Sequence, residues 1–481
     1  MGATITLDGG RQTKRKWNQT VPQTMWKCFP KQKILSSTGR ALCSEGHDQG
    51  HVFYQFNVIP PGVVTTGLDP AQIIWWTDCM FMPFDDSQII TSLGGYFYRG
   101  SQGLTQLRKM RLQNYFRIPQ GFMTLWRFND PHYPEVLNTK PSRALPHCSV
   151  STNGTLVSFF TDTDIMCSSL CQNSLVKAKE TFCSTFFFSA FSGDSNYVAV
   201  LARSRLHLNL AVVVIILRAS DMLVMYQRCV RELFQHFKLQ KHLINQDRLE
   251  CRFSPDSQFV AISTTAGQLF LIKRDLSKLE CVLVDGKDEE LTNERCYDFD
   301  PRFPHEVLAF CVNSDQVYVK NIESGSQILH CKLPENVMKA TCLKYNMEGD
   351  SFAVGCQDGV IVMMSSSTGN ILYLLDSKTQ AAAFAMTPCK LSMYPEIIRI
   401  SFSHSDDVLA VSSTEGTVRL WQLPPKMNLV HMCRLVILKH IPASTIKQLP
   451  LPTMIADLIV CCPRERARIT PVVINNETTQ V

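Results

Sequence analysis

Between residues 249 and 423 the chain repeats one order of apolar and polar positions four times. The first copy is Leu249-Glu-Cys-Arg-Phe, a polar turn Ser254-Pro-Asp-Ser-Gln, a second run Phe259-Val-Ala-Ile-Ser, then Ala266-Gly-Gln-Leu-Phe-Leu-Ile. The others are built on Cys296-Tyr-Asp-Phe with Val307–Val312 and Ser314–Val319; on Thr341–Asn346 with Phe352–Cys356 and Asp358–Val362; and on Ile398–Ser405 with Val408–Ser413 and Glu415–Trp421. Short β-branched and aromatic runs bounded by Ser, Asp and Gly predict antiparallel hairpins. The second turn falls at Gly267, Asp315, Gly359 and Gly416, in steps of 48, 44 and 57. A period in the forties with several strands per unit predicts propeller blades. The long last step is accounted for by an insertion, Ser377 to Pro395.

Upstream the pattern is fainter. Met80–Ser92, Cys148–Phe160 and Phe188–Val200 each read as a blade hairpin and bring the total to seven units. The run His51–Val58 is expected to pair with the last unit, which would join the chain ends and remove free sheet edges. Met222–Ile244 carries apolar residues at near-helical spacing and is expected to be a helix or an extended inserted hairpin. The expected organisation is a flexible basic arm over 1–45 and a repeat domain over 46–425, with inserted segments near 218–246 and 377–396.

The four clear units resemble WD repeats. The last is the best match, ending Glu415-Gly-Thr-Val-Arg-Leu-Trp421. It departs from the family pattern in having Gln422 where Asp usually follows the Trp, and in lacking the Gly-His pair that opens many repeats. The resemblance implies an all-β fold, a WD-repeat-like β-propeller of seven blades.

After Pro424-Pro425 the pattern changes. Leu429, Cys433 and Ile437 stand at i, i+4 and i+8, one stripe of a helix that Pro442 would end. A turn follows, then Leu449-Pro450-Leu451-Pro452, where alternating Pro forces an extended backbone. Thr453 is placed to cap a final helix, Met454–Val460. This array resembles a SOCS box, expected over 427–462 as a small α-helical module and followed by a flexible tail, 463–481. Leu429, Cys433, Arg434 and Ile437 match the Elongin BC-binding half, with Asn428 where Ser, Thr or Pro is usual. Ile446, Leu449, Pro450, Leu451 and Pro452 match the cullin half, in the form that goes with cullin-5. The resemblance implies a non-catalytic substrate-recognition subunit of a ubiquitin ligase. Its partners would be Elongin C with Elongin B, cullin-5 with a RING-box protein, and an unidentified protein substrate on the propeller face.

Composition narrows the alternatives. Hydrophobic residues make up 45% and charged residues 19%, an ordinary globular mixture rather than a disordered one. A net charge of +6 is mild at this length, so no nucleic-acid partner is expected. The longest apolar run, Leu210 to Leu217, is far short of the roughly 20 residues that span a bilayer, so no membrane partner is expected either. Nineteen cysteines, many inside apolar runs, read as small buried hydrophobes of a reduced chain. With no apolar leader at the start, this points to the cytoplasm, with the nucleus as a second compartment. The sequence shows no phosphate-binding Gly loop, no Gly-x-Ser-x-Gly elbow and no His-Glu-x-x-His helix, so no catalytic site, metal or cofactor is expected. The rival readings are a WD-repeat scaffold whose tail is a structural cap, and a receptor for a DDB-type adaptor, against which Trp421-Gln-Leu-Pro lacks the Trp-Asp-x-Arg form.

Overall fold

The computed structural model describes residues 51–58, 73–98, 115–117, 122–127, 135–136, 147–160, 164–170, 175–178, 183–204, 212–233, 249–264, 269–277, 279–282, 296–303, 307–312, 315–377 and 396–424. Twenty-nine strands and one short helix are assigned among them. β1 (His51–Asn57) comes first. Blade 1 contains β2 (Ile73–Met82), β3 (Asp85–Tyr98), β4 (Tyr115–Arg117), β5 (Phe122–Arg127) and β6 (Glu135–Val136). Blade 2 contains β7 (Cys148–Val150), β8 (Leu156–Phe160), β9 (Ile165–Ser169) and β10 (Leu175–Lys177). Blade 3 contains β11 (Cys183–Phe191), β12 (Tyr197–Ser204), β13 (Val212–Arg218) and β14 (Val224–Cys229), with α1 (Val230–Leu233) after it. Blade 4 contains β15 (Leu249–Phe253), β16 (Phe259–Thr264), β17 (Leu269–Lys273) and β18 (Leu279–Val282). Blade 5 contains β19 (Tyr297–Phe299), β20 (Val307–Val312), β21 (Gln316–Asn321) and β22 (Gln327–Lys332). Blade 6 contains β23 (Ala340–Tyr345), β24 (Ser351–Cys356), β25 (Val360–Ser365) and β26 (Ile371–Asp376). Blade 7 contains β27 (Ile397–Phe402), β28 (Val408–Ser413) and β29 (Thr417–Gln422), with β1 as its fourth strand.

Every pairing is antiparallel, and it joins strands consecutive in the chain except in blade 1, where β3 pairs both β4 and β5, and at the closure. There β1 lies along β29, with His51 opposite Gln422 and Asn57 opposite Thr417. This is the expected joining of the ends. The first strands of successive blades stand side by side, and β27 meets β2. Ser412 Oγ donates to Thr77 O at 2.8 Å, and Phe81 N donates to Ser401 Oγ at 3.0 Å, across that last junction. The result is the seven-bladed all-β propeller that the repeat implied.

The core lies between blades. Phe188, Leu201, Val214 and Ile216 of blade 3 pack on Cys251, Val260, Ile262 and Phe270 of blade 4. Ala309, Val317 and Val319 of blade 5 pack on Leu343, Phe352 and Val354 of blade 6. Each inner sheet is thus covered on both faces, so β13, β16, β24 and β28 are nearly continuous apolar or small-residue runs without alternation. The outermost strands meet solvent and lose that signature. This explains the one structural departure in the stretch 222–244. Its start is β14, a fourth blade strand with four exposed residues in succession, and α1 adds a single turn. Residues 234–248 lie outside the described residues, as do the arm 1–45 and the insertion core 378–395.

The turns from first to second strand share one chemistry in several blades. Ser151, Ser192, Ser254 and Ser403 each accept, through Oγ, the backbone N–H five residues on, at 2.9–3.0 Å. Asn346 does the same through its amide oxygen. The residue three positions after each has positive φ: Gly154, Ser195, Ser257, Gly349 and Asp406. Glycine is the usual occupant of that conformation. Where Ser or Asp stands instead, its side chain fastens the preceding blade. Ser195 Oγ takes Asn153 N, Ser257 Oγ takes Asp194 N, and Asp406 takes Met347 N and Glu348 N, at 2.8–3.1 Å. Asp86 continues the series by taking His404 N and Ser405 N.

Candidate functional site

Charged side chains from the first strands converge at the propeller axis. Arg252 on β15 holds Glu250 at 2.9 Å and Asp298 of blade 5 at 3.1 Å. Lys344 on β23 reaches the other oxygen of Asp298 at 2.9 Å. Arg399 on β27 reaches Asp78 of blade 1 at 3.4 Å and, from blade 7 across the axis to blade 4, Glu250 at 3.1 Å. The His147 ring lies 3.1 Å from Asp78 and 2.7 Å from the Ser189 carbonyl oxygen, stacked on Phe188. Three cations thus face three carboxylates. Burial pulls the Arg399 guanidinium down, but Asp78 and then Glu250 outweigh it and raise it above its ordinary value. Burial pushes the Asp298 carboxyl up, yet Lys344 and Arg252 leave it below the usual carboxylate range. Such a network ties blades 4 to 7 and blade 1 together. Its charges are matched internally, which suits a structural hub rather than acid–base chemistry.

Among the described residues, exposed large apolar side chains fall mostly on the outer strands β14, β22 and β26 and, separately, in three first-to-second-strand turns. Phe84 of blade 1 is 68% accessible, Met347 of blade 6 is 51% and Phe303 of blade 5 is 46%. His404 of blade 7 joins Phe84, with its ring 4.8 Å away in an edge-to-face contact. One blade thus follows another, from 5 through 6 and 7 to 1, each offering a bulky side chain. Exposed bulky side chains on successive turns of one face make it a candidate interaction surface. The chain leaves the propeller on the same face. Leu423 N donates to Asp407 O at 2.8 Å, directly after the blade 7 turn that carries His404 and Asp406. β1 enters there too, because His51 pairs with Gln422.

The positions singled out in the tail, Leu429, Cys433, Arg434, Ile437, Ile446, Leu449, Pro450, Leu451 and Pro452, all lie outside the described residues. The axial charges did not emerge from the sequence reading. Their signal was present all the same: one or two charged residues inside the first apolar run of most units, as in Leu249-Glu-Cys-Arg-Phe, Cys296-Tyr-Asp-Phe and Ile397-Ile-Arg-Ile. The exposed turn residues carry no such mark, since an apolar side chain in a turn is common and only the ring of blades brings Phe84 against His404.

Comparison with known families adds the identity of the parts. A model of the anaphase-promoting complex subunit 4 WD40 domain matches residues 303–390, which cover blade 5 after its first strand and all of blade 6 and run into the insertion. A SOCS box model matches residues 427–458, which span every tail position named above. No curated protein matches the chain. The chain therefore carries both modules that define WD-repeat and SOCS-box proteins, propeller first and box second. That pairing supports the role of substrate receptor in a SOCS-box ubiquitin ligase and is typical of non-catalytic adaptors. The SOCS box implies Elongin B/C and a cullin as partners.

Proposed function

From a chain that joins a WD40 propeller to a SOCS box, we propose a subunit that recruits a protein target to a ligase built from Elongin B/C, cullin-5 and a RING-box protein. The SOCS box match over 427–458 carries this reading, because it contains the Leu429/Cys433/Ile437 stripe and the Leu449-Pro-Leu-Pro452 strand in order. Leu429 is the anchor of helix-in-groove recognition, and Cys433 fills a place where a larger side chain would clash. Arg434 and Ile437 complete the Elongin contact. Ile446 and the proline-spaced Leu449 and Leu451 present a rigid cullin contact at small entropic cost. This chain supplies proximity alone: the target lysine and the ligase's thioester are held together at high effective concentration. Nine of the ten described cysteines are buried as small apolar side chains, which supports a reducing, intracellular setting. Burial alone pushes the Cys167 thiol up to about 12.

The test is co-purification with Elongin B/C. Truncating a central anchor costs about 2 kcal/mol, so Leu429→Ala should weaken capture roughly 30-fold and Leu429→Ala with Cys433→Ala should abolish it. Undiminished capture by the double variant would overturn the docking helix. Replacing Leu449, Pro450, Leu451 and Pro452 by Ala should spare Elongin and lose cullin-5. Unchanged recruitment of cullin-5 would remove the cullin assignment.

A further inference from the structure

We infer that the exposed turn patch of blades 6, 7 and 1 is the seat of this chain's own SOCS box helix, which is clamped between the propeller and Elongin. Three observations lead there. The turns that carry Met347, His404 and Phe84 adjoin through blade 7: Met347 N donates to Asp406, and the His404 ring touches Phe84. The chain exits beside them, with Leu423 N on the carbonyl of Asp407 in the blade 7 turn. The segment that follows is apolar on two opposite sides. Leu429, Cys433 and Ile437 form one stripe of the helix expected after Pro425, and Leu435 and Leu438, three residues apart, stand about 170° around it with His431 between them. A helix that serves one groove needs one apolar stripe. A second apolar side calls for a second surface, and this patch lies beside the turn at which the chain exits. His431 is the eighth residue after Leu423, a reach of at most about 29 Å when extended, so the tether confines the helix to this end of the molecule.

The inference relies on the proposed function only for the partner of the first stripe. It deepens that reading, because a box seated on the propeller holds the target at a fixed orientation to the ligase rather than on a swinging tether. The geometry also leaves the opposite face of the propeller, where Met338 is exposed, clear of the box.

The full chain is produced with Elongin B/C and with p-benzoylphenylalanine in place of Phe84, an exposed site that tolerates the larger ring. It is then irradiated, and the cross-linked peptides are identified by mass spectrometry. The expected product is an intrachain link from position 84 into residues 428–441. Leu435→Asp with Leu438→Asp should reduce that link tenfold or more, since a carboxylate is costly against apolar surface. Leu429→Asp should lose Elongin and keep the link. No intrachain link to 428–441, a link only to a second copy or to another protein, or a link indifferent to the Leu435/Leu438 changes would each overturn the inference. Elongin capture that survives Leu429→Asp would instead overturn the proposed docking helix and leave the seat in place.

Discussion

Trp421 and Trp126 occupy matching places on the third strands of blades 7 and 1, and they differ by one hydrogen bond. Trp126 stands opposite Ile89, and its Nε1 donates at 2.8 Å to the hydroxyl of Thr91, two residues along the same face. Trp421 stands opposite Leu409, and the equivalent position two residues along is Val411. The Trp421 Nε1 is buried with no acceptor. An unmade bond of this kind costs about 1–3 kcal/mol. Val411→Thr is therefore expected to stabilise the fold by about 0.5–1 kcal/mol, although Val→Thr in a core ordinarily destabilises. Thr91→Val should lose about 1–3 kcal/mol by orphaning Trp126. Denaturant midpoints for the two variants decide the matter: a fall for Val411→Thr would show that the hydroxyl does not reach the indole. The axial charges make a second claim at this scale. Arg399→Met removes the cation that Asp78 and Glu250 share, leaving Glu250 on Arg252 and Asp78 beside His147, and should cost about 3–5 kcal/mol. Asp298 is held below its unfolded value of about 3.9, so its contribution is complete above roughly pH 5. That contribution drains as the pH falls toward the lowered folded value, because protons then bind the unfolded chain first. Asp298→Asn should lower stability at neutral pH and flatten its decline in acid, as urea midpoints measured at several pH values will show.

At the scale of single elements, the blade turns decide how closely one sheet can approach the next. A Cβ added to Gly193 would overlap the carbonyl oxygen of Pro255 in the adjoining turn, and backbone cannot retreat as a side chain can. Gly193→Ala is expected to destabilise by about 2–4 kcal/mol, in the range of the more damaging single substitutions. A midpoint unchanged from the natural chain would mean that the two turns can part without cost. These turns were also the most readable elements of the sequence. Ser254-Pro-Asp-Ser and Ser403-His-Ser-Asp display the serine and the positive-φ position that the structure uses. What the turns fasten was not readable, because the bond from Ser257 runs to Asp194, 63 residues away. The same limit applies to strands. Inner strands such as Val212–Arg218 stand out as solid apolar runs because both faces are packed. Outer ones such as Val224–Cys229 and Gln327–Lys332 are mostly exposed, and their mixed sequences resemble loops or surface helices. The tail was legible for the opposite reason. Its spacing of Leu, Cys, Ile and Pro is local and needs no partner strand to be recognised.

For the molecule as a whole, closure rests on seven residues that precede all the other strands. β1 supplies the outer strand of blade 7, and Val58 N adds a bond to Gly416 O at 2.9 Å beyond its end. Without it, β29 would become an edge, and its unpaired N–H and C=O groups would invite pairing with another chain. β29 also carries Trp421 and Leu420, both fully buried, so loosening it opens the packing between blades 6 and 7. The chain continues from β29 into the SOCS box, which ties closure to function: a frayed last blade gives the box no fixed base. A chain beginning at residue 59 should therefore lose monodispersity and unfold at lower temperature. It should still capture Elongin B/C if the box folds on its partner, while the orientation of target to ligase is lost. Adding the separate peptide 46–58 should restore part of the lost thermal stability by completing the sheet. If the truncated chain is as stable and as monomeric as the whole, the ring is held by the axial charges and interblade cores alone, and the seam contributes nothing.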